Sequence, residues 1–131
     1  MTYHEYTAAL RVFSETVTMA EITGKLGQPA RGHEAGEPVS QRRPEGPRHD
    51  SSLWLLESRL DRAQGLDEHI ADLVAYAEAR REAFDELSRD CEVDISCGVF
   101  SGDDAQGGFT FEPSLSRRLA DLQLPVVFDI Y

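Results

Sequence analysis

The chain has 131 residues, of which 40% are hydrophobic, and its 24 acidic against 13 basic residues give a formal net charge of -11. This length suits one domain, because a chain of this size buries roughly two thirds of its unfolded surface. The excess of negative charge argues against binding to nucleic acid or to anionic membranes. No apolar run reaches the ~18 residues of a membrane helix, and the start, MTYHEYTAAL, lacks a signal-peptide pattern. We therefore expect one cytoplasmic domain over residues 1–131.

The first part of the chain predicts a strand and then a short helix. Residues 7–13 alternate between two faces, as a half-buried strand does, and the strand is expected to begin near residue 3. Thr18 and Glu21 have the spacing of a capping box, which marks the start of a helix. Gly27 suits the position that ends such a helix, and Pro29 prevents its continuation.

A segment rich in proline, glycine and arginine covers about residues 28–50 and predicts a long flexible loop. Its four arginines are balanced by four acidic residues, so the loop is neutral while the rest of the chain carries the whole net charge. Its prolines remove backbone donors that a phosphate-binding loop would use. Loops of this length inside a compact domain are usually functional or disordered. We expect mobility around residues 39–47, with residues 29–36 held against the domain.

The middle of the chain predicts a second strand and a long helix. Residues 52–58 have the length and apolar content of a strand, and Trp54 within it is expected in the core or on the sheet. From Leu66 to Leu87 apolar residues recur at helical spacing over about six turns, with Gly65 or Asp67 as the cap. The outer face of this helix is acidic enough to be a docking surface.

The last third predicts a hairpin, a helix and a closing strand. Residues 92–100 alternate as a strand does, residues 101–108 have turn composition, and residues 108–112 are expected to return as the hairpin partner. Pro113 suits the first turn of a helix. With a strand over residues 125–131, the order indicates an α+β fold: a mainly antiparallel sheet with three helices packed on it, in which ferredoxin-like βαβ halves are an option.

Several short motifs are distributed along nearly the whole chain. They are ALRVF at 9–13, Glu21-Ile22-Thr23, Leu26-Gly27-x-Pro29, Arg31 and Gly36 in the basic loop, Trp54 with Ser58, LDEHIADLV at 66–74, GGF at 107–109, and Phe128-Asp129-Ile130-Tyr131. This combination resembles the bacterial domain of unknown function 4279 family. The resemblance implies a small stand-alone domain and carries no established activity.

No catalytic or metal-binding motif stands out in the sequence. Its histidines and the cysteines Cys91 and Cys97 lack the close pairs of a structural zinc site, and neither a nucleophile motif nor a phosphate-binding loop is present. If both cysteines lie along one extended strand they are roughly 20 Å apart, too far for a disulfide. We therefore expect no catalytic residue, no metal and no cofactor.

Two functional hypotheses remain. The first is a non-enzymatic protein of the immunity or antitoxin kind, which neutralises a protein partner, such as a cognate toxin, through acidic residues. The alternative is an anion-binding or enzymatic site in which Arg31 and His33 of the loop meet a ligand near Trp54. A third option is a structural or regulatory domain whose partner is its own copy, that is, a homo-oligomer. The acidic residues expected to contact the partner are Glu78, Glu82, Asp85, Glu86, Asp103 and Asp104.

Overall fold

The computed structural model describes residues 4–101 and 109–131. These residues form an α+β fold with five strands and four helices. The strands are β1 (His4–Ser14), β2 (Arg31–His33), β3 (Ser52–Glu57), β4 (Glu92–Ser101) and β5 (Val126–Ile130). The helices are α1 (Met19–Leu26), α2 (Leu66–Ala79), α3 (Arg81–Leu87) and α4 (Pro113–Asp121).

The strands form one mixed sheet in the order β2-β3-β1-β4-β5. β2 pairs with β3 in antiparallel fashion, whereas β4 pairs with β5 in parallel. The α+β class is confirmed, but the expected mainly antiparallel sheet is wrong in detail. In the closing half, β4 and β5 are parallel neighbours with α4 between them in the chain. In the opening half, β1 and the strand predicted at 52–58, which is β3, are also neighbours in the sheet, and the short strand β2 lies on the outer side of β3.

The described residues divide into two compact units. The first comprises residues 4–10, 57–81, 94–101 and 109–131, and the second comprises residues 11–56 and 82–93. Neither unit is one uninterrupted stretch of sequence, because β1 and β3 each contribute residues to both. The prediction of a single domain with a flexible loop stays a prediction.

Helix and strand residues form the core of the first unit. In its helices, the buried apolar residues recur at the spacing that the sequence predicted. Leu66, Ile70 and Leu73 of α2 are buried, as are Leu115 and Leu119 of α4. Gly65 begins α2, and the Glu68 carboxylate accepts a hydrogen bond from the Gly65 amide at 3.1 Å. An ion pair then joins the two helices on their outer side, where the Arg118 guanidinium binds both oxygens of Glu78 at 2.7 and 3.0 Å.

The core of the second unit forms around Trp54, which is fully buried. Its indole N–H donates to the Gly27 carbonyl at the end of α1, at 2.9 Å. The expected helix start is confirmed, because the Thr18 hydroxyl accepts from the Glu21 amide at 3.1 Å. Ile22 and Leu26 of α1 and Phe84 and Leu87 of α3 are buried in the same unit.

The helix predicted over residues 66–87 is two helices. Arg80 leaves helical geometry at φ -124° and ψ 32°, and its amide bonds to the Ala77 carbonyl, three residues back. The Arg80 guanidinium lies over the Tyr76 ring, 3.5 Å from its centroid, and donates to the Tyr76 carbonyl at 3.3 Å. The apolar spacing continues through this break, which is why the pattern indicated one helix.

The prediction of a hairpin after β4 is also wrong, because its second strand does not form at residues 109–112. Residues 109–112 form no strand, and the turn at 102–108 lies outside the described residues. β4 pairs with β5 instead. Phe109 and Phe111 pack against Phe128, with ring centroids 5.5 and 6.1 Å away. The apolar residues that suggested a strand at 108–112 therefore hold a coil segment against β5.

The loop predicted at 28–50 contains a short strand and a folded-back arm. After β2 the backbone returns on itself through hydrogen bonds from Gly36 to His49, His49 to Glu37, and Val39 to Pro47, each of 2.9 Å between nitrogen and oxygen. The Arg48 guanidinium donates to the Gly36 carbonyl at 2.7 Å and to the Pro44 carbonyl at 3.2 Å. Gly36 has φ +88°, a left-handed conformation that favours glycine at this bend.

Candidate functional site

Three acidic side chains lie on the exposed side of α3. Glu82, Asp85 and Glu86 are three and four residues apart, so they occupy one side of the helix, while Phe84 and Leu87 occupy the buried side. Glu82 and Asp85 are exposed, and their carboxylates form no ion pair or hydrogen bond with any residue at 4–101 or 109–131. We call the side chains of Glu82, Asp85 and Glu86 the α3 acidic face.

Glu86 differs from its two neighbours because it has a cationic partner. The Lys25 ammonium of α1 lies 2.7 Å from the Glu86 carboxylate, and this hydrogen bond lowers the pKa of Glu86. Both side chains are half exposed, so the pair contributes little to stability. The face therefore has two carboxylates available for a partner and a third held in place by α1.

The other acidic residues predicted to contact a partner have different positions. Glu78 lies on α2 in the first unit, where the hydrogen bond from Arg118 lowers its pKa and engages both carboxylate oxygens. Asp103 and Asp104 lie outside the described residues. Glu82, Asp85 and Glu86 thus lie together on one short helix. Glu78 lies on another helix and forms an intramolecular ion pair.

The predicted ligand site at Arg31, His33 and Trp54 is not assembled in one place. Along the β2-β3 pair, Arg31 lies opposite Leu55, Gly32 opposite Trp54 and His33 opposite Leu53. Side chains alternate between the two sheet faces, so Arg31 and His33 lie on one face and Trp54 on the other. Trp54 is enclosed in the core with its N–H bonded to Gly27, and no ligand at Arg31 can reach it directly.

His33 has a partner that the sequence did not indicate. Its ring stacks on that of His49, which the folded-back arm brings to within 3.4 Å between centroids at an interplanar angle of 11°. Burial first and His49 second lower the pKa of His33 from 6.5, although Glu34 and Glu37 act in the opposite direction. His33 therefore carries less positive charge at pH 7 than an ordinary histidine, which makes it a weaker partner for an anion.

Glu34 follows β2 and serves the start of α1. Its two carboxylate oxygens accept hydrogen bonds from the Met19 amide at 2.6 Å and the Ala20 amide at 3.1 Å. These donors have no partner within their own helix, and the negative charge suits the positive end of the helix dipole. The spacing of 14 and 15 residues gives no local sequence signal, so this contact could not be found from the pattern.

A buried polar pair in the first unit was also missed. His69 of α2 is buried. Its Nδ1 lies 2.8 Å from the Ser58 hydroxyl, and its Nε2 is buried with no hydrogen-bond partner among the described residues. Ser58 shares a motif with Trp54 in the sequence, and this contact gives it a structural role.

The two cysteines do not have the environment of a nucleophile. Both are free and buried. Burial raises the pKa of the Cys97 thiol to about 12, with a contribution from the Asp94 carboxylate, and burial also raises the pKa of Cys91. At neutral pH both thiols are protonated, and a protonated thiol is a poor nucleophile or metal ligand.

Two further properties of the described residues bear on function. Across residues 4–101 and 109–131, no three or more His, Cys, Asp or Glu side chains are grouped so that they could hold a metal ion. None of the helices in the same ranges is both long and apolar enough to cross a membrane.

The described residues form a small α+β fold with a mixed five-stranded sheet, and α3 carries the acidic face on its exposed side. The chain matches the model of one protein family, the domain of unknown function DUF4279, over residues 4–131. It therefore belongs to the DUF4279 family, as the motifs indicated. Neither the curated proteins nor the solved structures contain a match to the chain.

Proposed function

We propose that this protein is a non-enzymatic binding protein that docks a basic protein partner on the α3 acidic face. The proposal rests on one observation: Glu82 and Asp85 are exposed and unpaired among the described residues, in a chain with a net charge of -11. A partner of the toxin kind, with a basic surface, fits this face. The protein would then act as an immunity or antitoxin protein does, by covering its partner.

The physical effect of such a face is mainly on association rate and specificity. Carboxylates fixed on one helix create a negative potential that attracts a basic surface and repels an acidic one. Because the side chains are exposed, salt screens this attraction over a Debye length of about 10 Å at 0.1 M. Binding should therefore weaken strongly with ionic strength.

The short helix holds this face in a fixed position. Phe84 and Leu87 anchor α3 in the core of the second unit, and the Lys25–Glu86 ion pair ties its outer side to α1. A docking surface on a helix whose backbone is already held in place loses less conformational entropy when a partner binds. This supports a preformed binding face over one that orders on contact.

The anion-binding alternative has weaker support. Trp54 lies on the opposite side of the sheet from Arg31 and His33, and the lowered pKa of His33 reduces its positive charge at pH 7. An anion at this position would meet one arginine and the stacked rings of His33 and His49. A single guanidinium at a sheet surface provides less than the convergent polar groups that a small-molecule site needs.

A cytoplasmic location is part of the proposal. Cys91 and Cys97 are both free, which suits a reducing compartment where disulfides rarely persist. The partner would then be met inside the cell, before or after its own export.

The test is binding to the protein encoded beside this reading frame. We expect the two purified proteins to form a complex whose affinity falls as salt is raised from about 50 to about 300 mM, because screening shortens the range of the attraction. Isothermal titration measures both quantities. If none of the neighbouring gene products binds at low salt, the immunity hypothesis is wrong.

Paired variants locate the binding face. Glu82→Gln with Asp85→Asn removes two charges from α3, and Glu15→Gln with Glu45→Gln removes two from other exposed positions of the same unit. We expect the α3 variant to bind roughly tenfold more weakly and the matched control to bind within about twofold of wild type. Equal weakening in both would show that net charge, and not this face, governs binding.

A further inference from the structure

The outer edge of β5 carries an exposed apolar surface in a chain that is otherwise rich in charge. β5 is the last strand in the sheet order, and no strand of residues 4–101 or 109–131 lies beyond it. Ile130 is 74% exposed, Tyr131 70%, Phe109 41%, and Val127 and Phe128 each 39%. Edge strands of this composition are usually protected, because their free backbone groups pair readily with another chain.

From this edge we propose that two copies of the chain pair through β5, in antiparallel orientation, and join their sheets. This inference concerns a different surface from the α3 acidic face and does not depend on it. The symmetric pair would be a two-fold dimer, which is the commonest arrangement of identical subunits.

The backbone of β5 determines which residues can form the pair. The Ile95 amide donates to the Pro125 carbonyl and the Tyr131 amide donates to the Val99 carbonyl, each at 2.9 Å. Because backbone groups alternate along a strand, odd-numbered residues of β5 face β4. The amide and carbonyl groups of Val126, Phe128 and Ile130 therefore point away from the sheet.

One antiparallel register uses all three of these outward-facing residues. With Phe128 opposite its own copy, Val126 lies opposite Ile130 of the second chain, and every outward amide meets an outward carbonyl. Val127 then lies opposite Asp129. A register centred on Asp129 would place two carboxylates side by side, which is destabilising.

Charge favours a second copy at this surface over contact elsewhere. Two chains with a net charge of -11 repel each other over most of their surface. Residues 122–131 contain a single charged side chain, Asp129, so this is where two copies can approach with least repulsion. In the proposed register each Asp129 faces Val127 and avoids the other carboxylate.

The area available is enough for a weak dimer. A whole aromatic side chain presents roughly 150–250 Å², so the exposed fractions amount to roughly 500 Å² of apolar surface per copy. Two copies would bury about 1,000 Å², the lower limit for a specific interface. We therefore expect a dissociation constant in the micromolar range or above, and a concentration-dependent dimer.

Sedimentation velocity of the full chain over about 1–300 µM tests the proposal. We expect reversible dimerisation in wild type, and at least about tenfold weaker dimerisation in Ile130→Lys, which buries a charge opposite Val126. Val39→Lys is the matched control, since Val39 is 56% exposed on the loop of the second unit. A monomer at every concentration, or equal weakening in both variants, overturns the proposal.

Cross-linking tests the register independently of stability. Val127 and Asp129 would form a pair without mutual backbone hydrogen bonds, where Cα atoms lie about 4.5 Å apart and a disulfide can form. Under mild oxidation, a mixture of Val127→Cys and Asp129→Cys proteins should give a covalent dimer in high yield, and each protein alone should give little. Equal yields in the mixture and in either single variant would rule out this register.

Discussion

The imidazole rings of His33 and His49 lie in nearly parallel planes, 11° apart, with centroids separated by 3.4 Å. One ring belongs to β2 and the other to the returning arm of the loop, so protonation is coupled to the folding of that arm. Burial and the neighbouring His49 lower the pKa of His33 from 6.5. The unfolded chain then binds more protons at His33, and the free energy of unfolding should fall as the pH drops from 6.5 through the folded pKa.

His49→Phe should reduce this pH dependence. The phenyl ring retains the stack and removes the charge that opposes protonation, so the pKa of His33 should rise part of the way towards 6.5, with burial still lowering it. An NMR titration of the His33 ring measures the change. Glu37→Gln is the control of opposite sign, because Glu37 raises this pKa. A His33 titration unaffected by either substitution would contradict the coupling.

Glu34→Ala should destabilise the protein by about 1–2 kcal/mol, as the loss of a helix cap does. The Met19 and Ala20 amides lose their acceptors at 2.6 and 3.1 Å, and the arm loses its attachment to α1. Glu34→Gln keeps one acceptor oxygen and should have a smaller effect. Urea unfolding measures both, with the exposed Glu45→Ala as the neutral control. Equal stability of the two alanine variants would mean that the cap contributes nothing.

Two glycine substitutions should change stability in opposite directions. A Cβ on Gly32 would meet the Leu53 carbonyl and lie 2.7 Å from the Met19 sulfur, so Gly32→Ala should cost about 1–3 kcal/mol. Gly24 lies in α1 with nothing within 4 Å of its Cβ position, so Gly24→Ala should stabilise by about 0.5–1 kcal/mol. Thermal unfolding of the two variants makes the comparison. A stable Gly32→Ala protein would show that α1 does not pack closely on β2.

Native protein should resist thiol alkylation at pH 8. The pKa of Cys97 is raised to about 12 and that of Cys91 is raised by burial, so little thiolate is present at either position. Iodoacetamide should modify both cysteines only after unfolding, as measured by mass spectrometry of the intact chain. Rapid labelling of Cys97 in the folded protein would contradict the burial and the raised pKa of this thiol.

Elements with local signals could be predicted from the sequence. The alternation of β1 and β4, the Thr18 cap of α1 and the first-turn proline of α4 each depend on residues that are neighbours in the chain. The apolar set of α2 and α3 was correct as well, since its spacing follows from burial on one side. Short-range chemistry determines these features, so a single sequence reveals them.

The features that could not be predicted depend on pairing between distant residues. β2 contains only Arg31, Gly32 and His33, without apolar alternation, and becomes a strand because β3 lies beside it. β4 could pair with residues 108–112 or with β5, and local composition favoured the nearer segment. In the structure β4 pairs with β5, and Phe128 of β5 packs against Phe109 and Phe111, a contact that no spacing rule describes.

The candidate site was predictable in part. Helical spacing alone placed Glu82, Asp85 and Glu86 on one exposed side. The ion pairs of Glu78 and Glu86 join residues that are 40 and 61 positions apart in the chain, so a local sequence pattern could not predict them. Trp54 was correctly assigned to the core, whereas its position on the sheet face opposite to Arg31 and His33 depends on the strand register, which the sequence pattern does not indicate.

Because the arm after β2 folds back on itself, the number of residues in the loop does not affect how the strands of the sheet pair. Its two ends are joined through Gly36 and His49, and Arg48 binds backbone carbonyls on both sides of the bend. Residues 40–46 form two successive turns at the tip of the arm, in which the Arg43 amide donates to Ser40 and the Gly46 amide donates to Arg43. Extra residues at that tip would leave the β2-β3 register unchanged, so this is the position where the chain can gain length, or carry an inserted peptide, without disturbing its core.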